Sequence, residues 1–359
     1  MKHIYMSFLI VILFVACGGT TTFIQKQKII HELPLAKENN SSLIENKNIA
    51  ISDESKSIAL VFSSLNIGKY SLDVSNIINS YCIYNEINSS IEIIDIDSER
   101  FDKYNIGDKL NDLNIDRIIG LFTTNDYKLI NDISDSNITI YLPLVNKNDI
   151  DNILLKNNII FGAIDYEKQF NELIGYVNSN KLVNLYDNTS LGSTLSSYIQ
   201  KELTVYSKEI SDNNAEYLRF LENNDKLKNS TIILNTSIVK SSILLSQINS
   251  TNISENTIIS SQLNYTPLLL SFTQEEDRDN IIIANSIGSL ESGFVEYTQL
   301  IGNDIRYNWV NYSSLIGLEY LLYKNIDKFK EIKVDENQII YPIKLYRVLK
   351  NNFKEIKYK

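Results

Sequence analysis

Short apolar runs alternate with amphipathic stretches along most of the chain. The apolar runs are rich in isoleucine and are typical of buried strands, and the stretches between them show helical spacing. Because near-continuous apolar strands with helices between them form parallel sheets covered on both faces, five strands and then five more predict two α/β lobes. The predicted strands are residues 58–62, 91–96, 117–122, 138–143, 159–164, 181–186, 204–210, 230–235, 256–262 and 280–286, and the predicted helices are 70–88, 166–178, 191–203, 217–227 and 239–249.

The last part of the chain has a different pattern. Aromatic and apolar residues from Trp309 to Tyr323, including Tyr312, Ile316 and Tyr320, recur at helical spacing on one face. This stripe favours a helix packed into a core over a platform on which a ligand stacks. Residues 338–349 then alternate as an antiparallel hairpin or an edge strand would, since proline is tolerated at an edge.

The N-terminus carries an export pattern. A charged residue, Lys2, precedes an apolar stretch from Phe8 to Ala16, which is followed by Cys17. A helix that crosses a bilayer needs about 20 apolar residues, so this stretch is too short to span one. A charged start, a short apolar core and a small residue before a break are typical of a secretory signal peptide.

The residues before the break refine that interpretation. The sequence Phe14-Val15-Ala16-Cys17-Gly18 resembles the lipobox of bacterial lipoproteins, in which the cysteine becomes the acylated N-terminus. The alternative is an ordinary signal peptide that contains a cysteine. Because Gly18 is not Asp, the resemblance implies sorting to the outer membrane if the cell has two membranes.

We therefore expect five segments. They are a lipoprotein signal peptide at 1–16, an acylated N-terminus and flexible polar tether at 17–57, an N-terminal lobe at 58–164, a C-terminal lobe at 165–286, and closing helices and terminal strands at 287–359 that pack back on the lobes. With Cys17 acylated, Cys82 is the remaining cysteine, so no internal disulfide is expected. Cys82 lies in an apolar helical pattern and is expected to be buried.

Charge and histidine content narrow the function classes. A net charge of −10 makes the chain a poor candidate for binding nucleic acid or an anionic membrane surface. The two histidines, His3 and His31, both precede the predicted lobes, which excludes Ser-His-Asp and Cys-His sites and histidine-based zinc sites in the lobes. Neither a GxxxxGK nor a GxGxxG motif is present, so no nucleotide cofactor is expected. An enzyme that uses carboxylates alone remains the alternative.

Carboxylates occur in two places. Asp95, Asp97 and Glu99 alternate at the end of a predicted strand, but they lack the glycine and the closing glutamate of a calcium loop. A solvated strand end is expected there, with no metal, and residues 274–279 are expected to form a surface helix terminus. Asn88 and Asn137 match the acidic glycosylation sequon that some bacteria use, although chance matches are common in a chain of this composition.

Polar side chains follow many of the predicted strands. In open α/β sheets ligands gather outside the carboxyl ends of the strands, and two-lobed proteins bind between the lobes. The alternative for each residue is that it caps the next helix. The predicted cleft residues are Ser63, Ser64, Asn66, Thr123, Thr124, Asn125, Asn146, Asp187, Asn188, Asn235, Asn264 and Tyr265.

Several of these segments are similar to a known family. Residues 58–70 (IALVFSSLNIGKY), 91–97 (IEIIDID), 116–126 (DRIIGLFTTND) and 138–144 (ITIYLPL) resemble the first lobe of type I periplasmic-binding-protein-like domains. The similarity is greatest to the penicillin-binding-protein activator (LppC-like) lipoproteins, whose second lobe opens in the manner of 181–203 (KLVNLYDNTSLGSTLSSYIQKEL). The chain departs from such activators because a short tether stands where they carry a helical-repeat domain. It also lacks the motif that amino-acid receptors of this fold carry after the first helix.

The resemblance implies a two-lobed α/β fold and leaves two functions open. The first is a non-catalytic, lipid-anchored periplasmic protein that contacts another envelope component, such as a peptidoglycan synthase. The second is a receptor lipoprotein that delivers a small polar ligand, an amino acid or a peptide, to a transporter.

Overall fold

The computed structural model describes residues 56–98, 106–126, 129–130, 133, 137–150, 156–200, 205–212, 215–253 and 255–357. The predicted signal peptide, Cys17, the predicted tether up to residue 55 and Glu99 lie outside these residues, whereas Lys56 and Ser57 begin the first strand. Strands β1 to β14 span Lys56–Phe62, Ser89–Asp95, Arg117–Leu121, Thr139–Leu142, Ile159–Phe161, Leu182–Asp187, Val205–Ile210, Thr231–Asn235, Ile258–Ser260, Ile281–Asn285, Lys333–Asp335, Gln338–Ile340, Lys344–Val348 and Phe353–Glu355. Helices α1 to α10 span Ser64–Ile67, Ser71–Tyr84, Ile106–Asp112, Tyr166–Val177, Ser190–Gln200, Ala215–Glu222, Ile238–Asn249, Pro267–Phe272, Ser292–Leu300 and Trp309–Tyr323.

The strands form two sheets of seven with equivalent orders. The first sheet runs β11-β12-β5-β4-β3-β1-β2, and the second runs β14-β13-β10-β9-β8-β6-β7. The first five strands of each lobe are parallel to one another, whereas β11 is antiparallel to β12 and β13 is antiparallel to β10. All ten predicted strands are present, and the predicted two-lobed α/β class is confirmed.

The chain crosses between the lobes three times, at residues 162–165, 286–291 and 341–343. After the second crossing, α9, α10, β11 and β12 return to the first lobe. After the third, β13 and β14 complete the second sheet. The three segments begin at the carboxyl ends of β5, β10 and β12, respectively. The carboxyl edges of both sheets therefore lie at the junction between the lobes.

Residues 338–349 do not form the hairpin that their alternation suggested. Gln338–Ile340 pairs with β5 and β11 in the first sheet, and Lys344–Val348 pairs with β10 and β14 in the second. Pro342 lies between the two strands and has no N–H with which to continue a ladder. The chain therefore leaves one sheet there and enters the other.

Both faces of each sheet are buried, which explains the near-continuous apolar runs. In β1, Ile58 and Leu60 pack with α2 and α10, while Ala59 and Val61 pack with α3 on the other face. Leu182 and Val183 divide in the same way between the two faces of the second sheet. Alternate residues of a strand point to opposite faces, so a strand covered on both sides must be apolar throughout.

Helix α10 is buried on nearly all sides rather than on one face. Twelve of its fifteen residues are buried, and of the predicted stripe Tyr312 and Ile316 are fully buried whereas Tyr323 is exposed. A helix that is apolar all round belongs inside a core. The helix lies against β3 and β4 of the first sheet.

Other predictions concern individual residues. Cys82 is buried in α2, and burial raises the pKa of its thiol. Asn88 and Asn137 are both exposed. No helix in the described ranges is long and apolar enough to cross a bilayer.

Candidate functional site

The predicted cleft residues lie at the carboxyl edges of the two sheets. Those of the first lobe follow β1, β3 and β4, and those of the second follow β6, β8 and β9. Because parallel strands end at the same edge of a sheet, each lobe gathers its own set. Most of these side chains form hydrogen bonds within their own lobe.

In the first lobe, carboxylates at the sheet edge bind the candidate residues. The Ser63 hydroxyl and the backbone N–H of Leu65 both donate to Asp97, and the backbone N–H of Ser64 donates to Asp95 at 3.1 Å. Asp95 and Asp97, expected to form a solvated strand end, therefore fix the start of α1. Among the described residues, no group of three or more histidine, cysteine or acidic side chains could hold a metal.

A third carboxylate, Asp126, fixes the loop after β3. It accepts hydrogen bonds from the Thr123 backbone N–H at 2.9 Å and hydroxyl at 2.8 Å, and from the Asn66 amide at 3.3 Å. Thr124 and Asn125 are exposed beside it. The bonds from Thr123 thus fix this loop, and the bond from Asn66 joins it to α1.

Asn146 is buried at the junction between the lobes. Its side chain accepts a hydrogen bond from the Asn148 backbone N–H at 3.0 Å and donates to the Ile164 carbonyl at 3.3 Å. Asn146 therefore connects the loop after β4 to the first crossing segment. Asn146 thus caps the short 3-10 helix Lys147–Asp149, which is the capping role that was the alternative to ligand binding.

In the second lobe, two candidates lie below the surface. Asn235 donates to the Asn184 side chain at 2.9 Å, and Asn264 donates to the Ser260 hydroxyl at 2.8 Å. Both asparagines are 0% exposed. They hold neighbouring strands and loops together, and a ligand in the cleft does not reach them in this arrangement.

Asp187 forms an ion pair at the end of β6. Its carboxylate lies 2.8 Å from Lys240 Nζ, which also lies 2.9 Å from Asp212 and 3.4 Å from the Asn188 side chain. Partial burial disfavours the charged ammonium and by itself lowers the pKa of Lys240. The bonds from this ammonium to Asp187 and Asp212 outweigh that effect, so the pKa of Lys240 is raised. The backbone N–H of Ser237 donates to the same Asp187 carboxylate at 2.6 Å.

Tyr265 belongs to an aromatic cluster rather than to a polar cleft. Its ring centroid lies 5.4 Å from that of Tyr307, 5.0 Å from that of Tyr346 and 4.6 Å from that of Phe353. Burial raises the pKa of the Tyr265 phenol. Tyr307 lies just before α10, and Ile305, two residues earlier, is buried in the core of the first lobe. The cluster therefore joins the two lobes.

A small cavity lies beside the crossing segments, and we call it the hinge pocket. It has a volume of about 190 Å³. Ion pairs join Lys147 to Glu336 and Lys168 to Asp165 at its walls, and Lys147 lowers the pKa of the Glu336 carboxyl. Of the predicted cleft residues, Asn146 lines this pocket. The other lining residues include Lys147, Asp165, Lys168, Ser286 and Glu336.

Exposed apolar side chains follow strands of both lobes, and sequence reasoning missed them. Each is the second residue of a helix that follows β1, β6, β8 or β9 in the chain, and their exposed fractions lie between 43% and 81%. We call this set the apolar rim: Leu65, Leu72, Leu191, Val239 and Leu268. The available signal was a large apolar residue placed among polar loop residues just before a helical pattern.

No protein-family model and no curated protein matches the chain. Solved structures do. Full-length LpoA from Haemophilus influenzae matches with a TM-score of 0.58 and 10% identity over 84% of this chain and 59% of that one. The C-domain of LpoA, described as a regulator of PBP1A, matches with a TM-score of 0.57 and 9% identity over 84% of this chain and 100% of the domain. This chain therefore matches only part of full-length LpoA, and that part is about as long as the C-domain.

A solute-binding protein is similar to the same degree. LivJ from Streptococcus pneumoniae, a branched-chain amino acid transporter substrate binding protein solved with isoleucine, matches with a TM-score of 0.57 and 10% identity over 85% of this chain and 100% of that one. These likenesses agree with the sheet order, the three crossing segments and the two lobes described above. The chain thus has the type I periplasmic-binding-protein-like fold that the LpoA C-domain and LivJ share.

Proposed function

We propose that this chain is a non-catalytic, lipid-anchored protein of the bacterial cell envelope that acts by binding another envelope protein. One observation carries the proposal. At the carboxyl edges of the sheets, polar side chains form hydrogen bonds inside their own lobes, while the apolar rim remains exposed. A small polar ligand needs free hydrogen-bonding groups, whereas the buried centre of a protein interface is apolar.

The kind of partner follows from the fold neighbours. LpoA is described as a regulator of PBP1A, so a peptidoglycan synthase is the first partner to test. The acidic character of this chain favours a partner with a basic contact surface.

The test is crosslinking in intact envelopes followed by purification of the full chain. We expect a specific envelope protein to be recovered with the wild type and to be lost when Leu65→Ser and Leu191→Ser are combined. The control is Leu300→Ser, because Leu300 is 86% exposed at the end of α9, outside the apolar rim. Equal recovery with the rim and control variants, or recovery of no protein partner, contradicts the proposal.

Anchoring is proposed through acylated Cys17, at the outer membrane if the cell has two. Metabolic labelling with a palmitate analogue tests it, and the expected result is label on the wild type but not on Cys17→Ser. Cys82→Ser is the matched control, since this buried thiol is not an acylation site. Label that persists in Cys17→Ser excludes the lipobox interpretation, and separation of the membranes then locates the labelled protein.

A second function is supported by the hinge pocket. It presents lysines and carboxylates together, and the fold neighbour LivJ was solved with an amino acid. As a receptor, the chain delivers a small polar solute to a transporter. A thermal-shift screen of amino acids, peptides and sugars tests this: a ligand at 100 times its Kd adds about 2.7 kcal/mol to the free energy of unfolding. Uniform melting temperatures exclude a receptor for those solutes.

A further inference from the structure

A second surface of the C-terminal lobe has the properties of a docking site. Helices α7 and α8 enclose an open groove with a volume of about 490 Å³. We call it the α7–α8 groove, and its lining residues are Val239, Ser242, Ile243, Ser246, Gln247 and Phe272.

The walls of the groove are apolar and accessible. Val239 is 55% exposed and Phe272 is 52% exposed, at the start of α7 and the end of α8. An exposed aromatic ring beside an aliphatic side chain is the kind of pair that anchors protein partners. Val239 also belongs to the apolar rim, so the groove continues the surface through which the chain is proposed to bind.

One polar atom inside the groove lacks a partner. Gln247 Oε1 is buried and accepts no hydrogen bond. A buried acceptor without a donor is unfavourable, and a donor supplied by the occupant of the groove corrects this. An N–H or O–H group near the occupant's apolar anchor supplies this donor once the Gln247 side chain rotates toward the groove.

Acidic residues lie at one end of the groove. The turn after α8 contains Glu275, Glu276, Asp277 and Asp279. Its basic residue, Arg278, is buried and donates to the carbonyls of Thr273 and Lys350, each at 2.6 Å.

This acidic turn lies directly against α7. The Asn249 amide at the C-terminal end of α7 donates to Asp277 at 3.2 Å, and the C-terminal end of a helix dipole adds negative charge. Lys350 Nζ lies 3.8 Å from the Glu275 carboxylate and offsets part of this negative charge. The end of the groove is therefore negative.

We propose that the α7–α8 groove binds a basic amphipathic helix of a partner protein. This inference rests on the proposed function, because it names the partner's contact segment. An apolar side chain of the helix packs between Val239 and Phe272, a donor reaches Gln247, and lysine or arginine residues lie over the acidic turn. A second copy of this chain fits poorly, since the chain carries a net charge of −10.

The first experiment measures peptide binding to the full chain by fluorescence anisotropy. The probe is a labelled amphipathic helix of leucine and lysine, compared with a leucine and glutamate peptide of the same pattern. We expect the lysine peptide alone to bind, with at least a tenfold loss of affinity for Phe272→Ser and for Glu276→Gln combined with Asp279→Asn. The controls are Leu218→Ser and Glu222→Gln, an exposed pair on α6, and neither is expected to change binding.

Two outcomes of that experiment overturn the proposal. In one, the glutamate peptide binds as tightly as the lysine peptide. In the other, the groove variants bind as well as the controls.

The second experiment identifies the occupant in the envelope. A photo-crosslinking residue at the exposed position of Ser246 is used in the full chain, and the attached peptide is sequenced. Attachment to a segment of another protein with an apolar residue flanked by lysine or arginine supports the proposal. Attachment to a second copy, to another part of this chain, to an acidic segment or to nothing overturns it.

The two proposals fail separately. If an envelope partner is recovered but does not attach at position 246, the groove is wrong and the proposed function stands. If no partner is recovered although the lysine peptide binds the groove specifically, the proposed function fails while the groove's preference for a basic helix stands.

Discussion

The Tyr198 hydroxyl in the second lobe donates a 2.5 Å hydrogen bond to Asp149 in the first lobe. Tyr198 lies on α5, and Asp149 lies in the loop after β4. Burial, together with the Asp149 carboxylate, raises the pKa of the Tyr198 phenol, so the hydroxyl keeps its proton and remains a donor at neutral pH. With the contact between the rings of Tyr265 and Tyr307, this bond joins the two lobes.

Removing the Tyr198 hydroxyl is expected to shift the lobes toward an open arrangement. In Tyr198→Phe the Asp149 carboxylate loses a donor, while the ring remains. We expect a larger radius of gyration by small-angle X-ray scattering than for the wild type. Tyr206→Phe is the control, because Tyr206 stacks on Phe220 inside the second lobe. Identical scattering from both variants and the wild type shows that the bond does not determine lobe closure.

Most of the fold could be predicted from local pattern. Central apolar runs such as β8 and β10 are buried along their whole length, so their composition alone indicates a buried strand, whereas the edge strands β2 and β7 are exposed or half-buried over most of their length. The destination of Gln338–Ile340 and Lys344–Val348 could not be predicted in this way. Their alternation fits any edge strand, and the choice between two sheets depends on which lobe the chain meets before Pro342 and which it meets after it.

The candidate site was less predictable. Strand ends located the right edges, but sequence could not show that Asn235 and Asn264 point into their own lobe, or that Asp126 binds Thr123. Burial and partner choice depend on packing between distant segments. The apolar rim was missed because an exposed leucine at the start of a helix has the same local pattern as a buried one.

Gly317 admits the ring of Tyr141, so an added methyl group is expected to destabilise the fold. A Cβ at position 317 lies 2.2 Å from a ring carbon of Tyr141. The buried ring cannot move freely, because its hydroxyl lies 3.1 Å from that of Ser313 and 3.0 Å from that of Tyr341. Overpacking of this kind costs about 1–3 kcal/mol, and urea unfolding of Gly317→Ala measures it.

Gly175→Ala is the matched control for this prediction. Gly175 is exposed in α4, and a Cβ there contacts nothing within 4 Å. Alanine in a helix is favoured over glycine by about 0.5–1 kcal/mol, so this variant is expected to be more stable than the wild type. If both alanine variants change stability in the same direction, the ring contact does not explain the result for Gly317.

Tyr81 stabilises a buried carboxylate. Its hydroxyl donates to Glu319 at 2.7 Å, and Glu319 is 2% exposed, with Lys328 Nζ 3.9 Å away. Tyr81→Phe is expected to lower the free energy of unfolding by about 1.5–3 kcal/mol, because a charged buried acceptor loses its donor. Tyr84→Phe is the control: Tyr84 donates to the exposed Glu291 at 2.8 Å, where about 0.5 kcal/mol or less is expected. If chemical denaturation shows that both variants lose the same free energy of unfolding, the bond from Tyr81 to Glu319 is not the cause of the loss.

Glu331 joins the second crossing segment and the start of β13 to the first lobe, so stability is expected to depend on its ionisation. Its carboxylate accepts hydrogen bonds from Lys344 Nζ at 2.6 Å and from the Ser289 backbone N–H at 3.0 Å. These two donors lower the pKa of Glu331 below the ordinary value of 4.5. A carboxyl whose pKa is lower in the folded state stabilises the fold above its unfolded pKa, and this contribution is lost as the pH falls through the folded value.

Glu331→Gln removes that dependence. At neutral pH the variant is expected to be less stable by about 1 kcal/mol or less, because Glu331 is partly exposed and solvent screens the pair. As the pH falls below about 4.5, wild-type stability decreases more steeply than that of the variant, and the two converge. Urea denaturation at a series of pH values between neutral and acid measures the difference, with Glu222→Gln as a control for an exposed glutamate on α6. A constant difference between Glu331→Gln and the wild type across the series is incompatible with ionisation of Glu331 as the cause.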